Sequence, residues 1–299
     1  MSKSKIRRST QDNVLVFICY AFVGIFAVLC LIPFIFVVSA SLSSQSAIAV
    51  NGFRLLPQDF SLAAYEMVFK GNQIWHSYAV TIFTTVFGTA ASLMFTAIFA
   101  YPLSTRRLRF GNALNFYVYF TMLFSGGLVP SYILTSRYLH LSGTIWVYII
   151  PSLMSVWNMF LLRNFFSAIP PSLAESARID GANDFQILVK IILPCAKPAL
   201  ATVGLFYALG YWNEWYRTLL YNSGDKDLWT LQFLIYQMMN KAETIKNMAQ
   251  EGVMVADVDI PTTTMKMATA ICTIGPVILA YPFAQKYFTK GLIVGSVKG

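Results

Sequence analysis

Charged residues are scarce in this chain. Only 12% of its 299 residues are Asp, Glu, Lys or Arg, whereas 57% are apolar. In soluble domains roughly a quarter of all residues are charged, so the composition argues against a soluble domain and favours a protein embedded in a bilayer. Long apolar runs alternate with short polar segments, as expected for helices of about 20 residues that cross a membrane. We predict an all-α membrane protein with six transmembrane helices.

Motifs for enzyme chemistry are also missing. There is no Gly-x4-Gly-Lys-Ser/Thr loop, so the chain itself is not expected to bind and hydrolyse ATP. The two histidines, His76 and His140, are far apart and belong to no His-Glu-x-x-His motif. The four cysteines form no Cys-x-x-Cys pair, which argues against a zinc site or a disulfide framework. We therefore expect no catalytic residue, metal or cofactor in this chain.

The net charge of +9 would suit a nucleic-acid partner, but its distribution argues otherwise. Basic residues concentrate in the segments that a six-span topology with a cytoplasmic N-terminus places inside, such as Arg106, Arg107 and Arg109. This asymmetry follows the positive-inside rule. It predicts membrane lipid as a partner, no nucleic acid, and both termini in the cytoplasm. The three arginines are interpreted as topology anchors, with phosphate binding as the alternative.

The chain divides into a cytoplasmic segment at 1–13, a transmembrane domain at 14–288 and a cytoplasmic tail at 289–299. Val38-Ser39-Ala40 could pass for a signal-peptide cleavage site. The preceding apolar core of about 25 residues is longer than the usual 7–15, so we predict that the first span is retained. The spans are predicted at 14–40, 78–103, 113–134, 144–162, from 199 to about 217, and at 263–287.

The most polar long segment between two spans is residues 170–198. Ser172 and Glu175 have the spacing of a capping box, which predicts the start of a short helix. Gly181 is placed to end that helix in the left-handed conformation, and Asn183 with Gln186 fits the cap of a second helix. The segment is predicted to form a helix, a glycine elbow and a second helix.

This segment closely resembles the cytoplasmic loop of permease subunits of ATP-binding cassette importers. The family pattern is Glu-Ala-Ala, three residues, Gly, nine residues, then Ile-x-Leu-Pro. The matching residues here are Glu175, Ser176, Ala177, Gly181, Ile191, Leu193 and Pro194. Only Ser176 departs from the pattern, replacing an alanine. The alternative, a capped amphipathic loop with no partner, would account for Ser172, Glu175 and Gly181 alone.

The resemblance implies a subunit of the bacterial cytoplasmic membrane, with a coupling helix between the fourth and fifth spans. It implies a heterodimer with a second permease, two ATPase subunits that bind ATP and Mg, and an extracytoplasmic solute-binding protein. The residues that would couple to the ATPase are Ser172, Glu175, Ser176, Ala177, Asp180, Gly181 and Ala182. Glu175 is expected to hold the cap, Gly181 to set the elbow, and Ala177 to permit close approach.

The third span adds a resemblance to oligosaccharide-importer permeases. Its Phe124-Ser-Gly-Gly-Leu-Val-Pro130 run is similar to theirs and implies a carbohydrate as the cargo. Near the end of the fifth span, the polar and aromatic residues 211–217 would suit sugar faces and hydroxyls. The alternatives are a packing kink and an interfacial aromatic belt. The candidate path residues are Ser125, Tyr132, Trp157, Asn158, Trp212, Asn213, Glu214 and Trp215.

The glycine-rich C-terminal end resembles the tail of the smaller permease of the maltose importer. That resemblance implies contact of Ser296, Lys298 and Gly299 with the ATPase subunits, and a frayed terminus is the alternative.

Two other functions remain open at this stage. One is a permease of the same architecture for another solute, such as peptides. The other is a membrane glycosyltransferase that uses an Asp-x-Asp metal pair, at Asp225 and Asp227 or at Asp257 and Asp259. We interpret the polar stretch 221–261, which holds both pairs, as a solvated loop.

Overall fold

The fold is helical throughout the part of the chain described by the computed structural model, residues 10–105, 107–250 and 263–296. Within these residues the only β-pairing is an isolated bridge between Ser43 and Phe60. The helices, in chain order, are α1 (Thr10–Ser41), α2 (Gln45–Asn51), α3 (Ala63–Lys70), α4 (Asn72–Ser104), α5 (Gly111–Leu123), α6 (Leu128–Ile133), α7 (Trp146–Ile149), α8 (Val156–Ser167), α9 (Pro171–Ile179), α10 (Asp184–Ile187), α11 (Leu193–Cys195), α12 (Lys197–Trp212), α13 (Tyr216–Tyr221), α14 (Leu231–Gln250) and α15 (Thr263–Ser296).

Two of the described helices are long and apolar enough to cross a membrane alone, α1 over Gln11–Ser41 and α4 over Asn72–Ser104. Two bent pairs pass the same test of length and composition together. The stretch Gly111–Leu123 meets Leu128–Tyr138 at 105°, and Asp184–Cys195 meets Lys197–Trp212 at 86°. These elements agree with the predicted first, second, third and fifth spans in position, while the count of six stays a prediction.

The third and fourth predicted spans are interrupted helices. Between α5 and α6 the chain turns at Gly127, whose φ of +88° only glycine adopts cheaply. In the fourth region a 3-10 turn at Ile150–Ser152 separates α7 from α8. Pro151 lies in that turn and has no backbone N–H to donate, which explains the interruption. Ser155 then caps α8 by accepting the N–H of Asn158 at 3.4 Å.

The interpretation of 221–261 as a solvated loop is wrong for residues 231–250, which form α14. Leu231, Phe233 and Leu234 are buried at the start of this helix. Leu231 and Leu234 share a helical face, but Phe233 lies off it and polar residues follow, so the sequence shows no helical period here. Helix α14 brings further side chains to the candidate site described below.

The described helices fall into two compact units. The first contains Met1–Lys70 and Lys241–Cys272. In its long helix α1, none of the most apolar 18-residue window is buried, as expected for a surface that faces lipid. After α1, the Ser41 hydroxyl lies 2.8 Å from the Tyr65 hydroxyl, and the Gln58 N–H donates to Ser43 Oγ at 3.0 Å. These bonds fold the connection back on the helix end.

The second unit contains Gly71–Asn240 and Thr273–Gly299, and its core lies between α4, α8 and α12. Fully buried side chains such as Met159, Leu162 and Val203 fill the contact. Helices α4 and α12 approach closely at Gly88, where an added Cβ would lie 2.7 Å from the ring of Tyr211. A small residue at this position is therefore required by the packing.

Hydroxyl groups hold α4 against α12. Ser92 Oγ lies 2.8 Å from the Tyr211 hydroxyl, and Thr96 Oγ1 lies 2.7 Å from the Tyr207 hydroxyl. The Tyr207 hydroxyl also accepts the backbone N–H of Ser155 at 2.9 Å, just before α8. Buried polar groups inside a membrane bundle need protein partners, and here they find them across helices.

Candidate functional site

The first candidate region is the 170–198 segment, which begins with α9. The predicted capping box at Ser172 and Glu175 is wrong: α9 begins at Pro171, its N-cap is Pro170, and no side chain caps it. Pro171 occupies the first helical position, where its fixed φ fits and its missing N–H costs nothing. Ser172 therefore lies inside the first turn, and both Ser172 and Glu175 are exposed.

Gly181 forms the predicted elbow. Its φ is +83°, and its N–H donates to the Arg178 carbonyl at 3.0 Å. The next N–H, of Ala182, donates to the Ala177 carbonyl at 2.9 Å. These two bonds are the Schellman motif, which satisfies the last carbonyls of a helix and needs a left-handed residue between them. The prediction of a glycine elbow is confirmed in backbone geometry.

The predicted second cap is confirmed too. The N–H of Gln186 donates to Asn183 Oδ1 at 2.8 Å, and the N–H of Asn183 donates to Gln186 Oε1 at 3.0 Å. Across the elbow, Arg178 Nη2 donates to Asp184 Oδ1 at 2.8 Å, and this bond raises the pKa of the Arg178 guanidinium. The two short helices are thus held at a fixed angle by local bonds.

The two faces of this segment differ. Ala174, Ala177 and Ala182 are half-buried against the core of the second unit. The predicted coupling residues that face outward, all exposed, are Ser172, Glu175, Ser176, Asp180 and Gly181. The small size of the alanines therefore lets the segment lie close to its own bundle.

Sequence reasoning missed two apolar side chains on the outward face. Ile179 is 87% exposed and Phe185 is 67% exposed, one on each side of the elbow. They are the most exposed of the large apolar side chains within the described part of this polar segment. The sequence signal was available, since both residues flank Gly181 in the most polar segment of the chain.

The second candidate region lies at the other end of α12. Trp212 and Glu214 are buried there, and each has a structural partner. Trp212 Nε1 donates to the Thr273 carbonyl at 3.1 Å, and Glu214 pairs with the Arg217 guanidinium. Glu214 also accepts the Arg217 backbone N–H at 2.8 Å, which stabilises the first turn of α13. This ion pair joins the two sides of the chain break between α12 and α13.

Asn213 and Trp215 have exposed surface in the same break. Asn213 Oδ1 accepts a hydrogen bond from Gln232 Nε2 at 3.0 Å. The Trp215 ring stacks on Tyr236 with centroids 4.8 Å apart. Gln232 and Tyr236 were missed because α14 was not predicted. Together these four side chains form an amide and aromatic surface, which we call the α12–α14 cluster.

Among the described residues, the other candidate path residues make no hydrogen bond or ring contact with this cluster. Ser125 is exposed in the α5–α6 break, and Tyr132 stacks on Tyr221 at 5.4 Å. Trp157 is 63% exposed, whereas Asn158 is buried in α8. None shares a hydrogen bond or ring contact with residues 212–215 in the described chain, so the structure does not unite all eight candidates.

Two further predictions concern the tail and metal binding. Ser296 is the last residue of α15, and Lys298 and Gly299 lie outside the described residues. No group of three or more His, Cys, Asp or Glu side chains suited to a metal occurs among the described residues. Asp225 instead accepts the Asp227 N–H at 3.0 Å, as a turn cap does. Asp257 and Asp259 lie outside the described residues.

Comparison with known proteins identifies the family to which this chain belongs. Residues 93–294 match the family model described as binding-protein-dependent transport system inner membrane component. The chain is 41% identical over 281 residues to the polygalacturonan/rhamnogalacturonan transport system permease protein YtcP of Bacillus subtilis (strain 168), covering 94% of this chain and 96% of that protein. It is 37% identical over 278 residues to protein LplC of the same organism, covering 93% and 92%.

A solved structure agrees with these relatives. One chain from the crystal structure of a bacterial ABC transporter involved in the import of the acidic polysaccharide alginate has a TM-score of 0.80 and 34% identity. The match covers 94% of this chain and 99% of that chain. Because the family match spans more than half of the sequence, the chain belongs to the inner-membrane permease components of binding-protein-dependent ATP-binding cassette importers, in which partner subunits hydrolyse the ATP.

Proposed function

We propose that this permease forms half of the translocation path for an oligosaccharide, and that the cargo is acidic. The observation that carries the proposal is the 41% identity, along 94% of the chain, to a permease named for polygalacturonan and rhamnogalacturonan transport. The alginate importer, also named for an acidic polysaccharide, supports the same class of cargo.

Coupling to ATP hydrolysis is proposed to occur at the 170–198 segment. Its exposed helix, fixed elbow and apolar Ile179 and Phe185 suit insertion into a cleft of an ATPase subunit. Glu175 and Ser176 would contact the ATPase, and Gly181 would hold the angle between the two short helices. Because local bonds fix that angle, closure of the ATPase dimer would move the segment as a rigid body.

The proposed assembly has a second, related permease as a heterodimer partner, two ATPase subunits and an extracytoplasmic binding protein. Both termini and the 170–198 segment would be cytoplasmic, with Ser296, Lys298 and Gly299 reaching the ATPases. ATP binds the closed ATPase dimer more tightly, and that differential affinity would drive the two permeases from inward-open to outward-open.

The α12–α14 cluster is the proposed sugar contact. The aromatic face of Trp215 suits the C–H face of a sugar ring, and Asn213 with Gln232 offers amide groups for hydroxyls. Trp212 and Glu214 would support this surface from behind because both are buried.

The test uses the native complex in proteoliposomes with its binding protein. We expect oligogalacturonides to stimulate ATP hydrolysis and to be taken up, while neutral maltooligosaccharides of equal length and short peptides have no effect. Stimulation by the neutral sugar alone would contradict the acidic cargo, and stimulation by peptides alone would contradict the carbohydrate class.

A further inference from the structure

A cavity of about 1150 Å³ opens beside α9. Its walls are the C-terminal end of α4, the loop that leads into α5, the end of α8 and the start of α9, all in the second unit. Helix α4 is a membrane span by length and composition, and the cavity lies at its C-terminal end.

The lining of this cavity is strongly basic. Arg107, Arg109, Arg163 and Arg178 all contribute to it, and among the described lining residues Glu175 is the one carboxylate. Arg107 and Arg109 belong to the loop before α5, and Arg178 belongs to α9. Three separate parts of the chain therefore bring guanidinium groups to one cavity. Such convergence exceeds what topology anchoring by the arginine-rich loop alone requires.

Existing bonds orient two of these arginines without neutralising the cavity. Arg163 Nε donates to the Leu103 carbonyl at 2.9 Å, and its Nη1 donates to Asn164 Oδ1 at 3.3 Å. Both acceptors are uncharged. Arg178 pairs with Asp184, which is 73% exposed and is not part of the lining. The Arg109 guanidinium lies 5.6 Å from the Phe110 ring centroid.

Two helix N-termini open into the same cavity. Gly111, Asn112 and Ala113 of the first turn of α5 line it, as does Pro171 at the start of α9. Neither helix has a side-chain cap. Helix N-termini carry partial positive charge and favour anions, so they add to the field of the arginines.

A buried hydroxyl gives independent support for a ligand. Tyr101 lines the cavity and is only 7% exposed, and its hydroxyl makes no hydrogen bond within 3.5 Å among the described residues. The Arg178 guanidinium lies near this hydroxyl but can only donate, so the hydroxyl proton has no acceptor. Buried hydroxyls almost always have a partner, and leaving one unpaired is destabilising. An anion in the cavity would supply the missing acceptor.

We propose that this cavity binds a phosphate group, supplied either by an anionic phospholipid headgroup or by a soluble phosphate. Guanidinium groups bind phosphate oxygens through paired, charge-assisted hydrogen bonds, and the Tyr101 hydroxyl donates one more. The lipid is the favoured source because the cavity lies at the end of a span. Helix α5, which leads away from it, has no buried residue and offers an apolar face for acyl chains. The inference does not rest on the identity of the cargo.

The experiment measures lipid binding to the purified complex by native mass spectrometry. Phosphatidylglycerol, phosphatidylcholine and inorganic phosphate are the probes. The test variant is Arg107→Gln with Arg109→Gln, and the matched control is Arg54→Gln with Arg137→Gln, which removes equal charge outside the cavity. We expect the test variant to bind phosphatidylglycerol about thirtyfold more weakly, since two basic residues near an anionic lipid together contribute about 2 kcal/mol.

A second variant, Tyr101→Phe, removes only the unpaired hydroxyl. We expect several-fold weaker phosphatidylglycerol binding at unchanged complex yield. Competition by inorganic phosphate would assign the site to a soluble source, and phosphatidylglycerol binding without competition would assign it to the lipid. Equal losses in the test and control double variants, or equal binding by wild type and both cavity variants, would overturn the proposal.

Discussion

The 170–198 segment and the α12–α14 cluster lie at opposite ends of α12, and they are built in different ways. The segment owes its shape to bonds between near neighbours, such as the Gly181 elbow and the Asn183 cap. The cluster owes its shape to distant partners, with Trp215 on Tyr236 and Asn213 bonded to Gln232. Local construction suits a rigid docking element, whereas a surface assembled from several helices changes whenever those helices move.

The largest expected effect separates the two tryptophans of the second region. Trp212→Ala should lower the stability of the purified complex by about 3 kcal/mol, because it leaves a cavity beside Tyr211 and removes a buried hydrogen bond. Trp215→Ala, the same change at a partly exposed site, should cost less than about 1 kcal/mol. Thermal unfolding in detergent measures both. Equal destabilisation would mean that Trp215 is also structural.

The next effect concerns the elbow. Gly181→Val places a β-branched residue at a φ of +83° and should cost on the order of 1–2 kcal/mol. We expect sugar-stimulated ATP hydrolysis to fall by about tenfold at normal complex yield. The control is Gly210→Val in α12, where an added Cβ has no neighbour within 4 Å and φ is not left-handed. Full coupling in Gly181→Val would contradict the role of the elbow.

A smaller effect is expected for sugar contact. Trp215→Ala should raise the KM for uptake by about fivefold, because one aromatic stacking surface is worth about 1 kcal/mol. Trp75→Ala is the control, since Trp75 is 56% exposed in α4 and lies outside the α12–α14 cluster. Uptake assays in proteoliposomes distinguish them. If both variants lost uptake equally, Trp215 would belong to a general interfacial belt.

The smallest effect tests the corrected cap. Asn183→Ala should destabilise α10 by about 1 kcal/mol, whereas Ser172→Ala should change α9 by less than about 0.3 kcal/mol because Ser172 caps nothing. Hydrogen exchange of the Gln186 amide should speed up in the first variant, and exchange in α9 should be unaffected in the second. Faster exchange throughout α9 in Ser172→Ala would restore the predicted capping box.

Local chemistry made much of the first region predictable from sequence. The residue types alone indicate the left-handed elbow at Gly181 and the helix cap formed by Asn183 and Gln186. The capping box at Ser172 failed because Pro171 is the first helical residue, which puts the N-cap at Pro170, two residues before Ser172. The cluster was only half predictable, because Gln232 and Tyr236 come from α14, whose buried residues Leu231, Phe233 and Leu234 do not follow a helical period in the sequence.

The hydroxyl bonds between α4 and α12 have a mechanical consequence. Ser92 with Tyr211 and Thr96 with Tyr207 bind the two helices at successive turns, and Gly88 brings their backbones together. In a bilayer no water replaces such bonds when they break. Helices α4 and α12 should therefore move as one rigid body during each transport cycle. We expect bending to occur instead where helices end, at residues 124–127 between α5 and α6 and at residues 213–215 between α12 and α13.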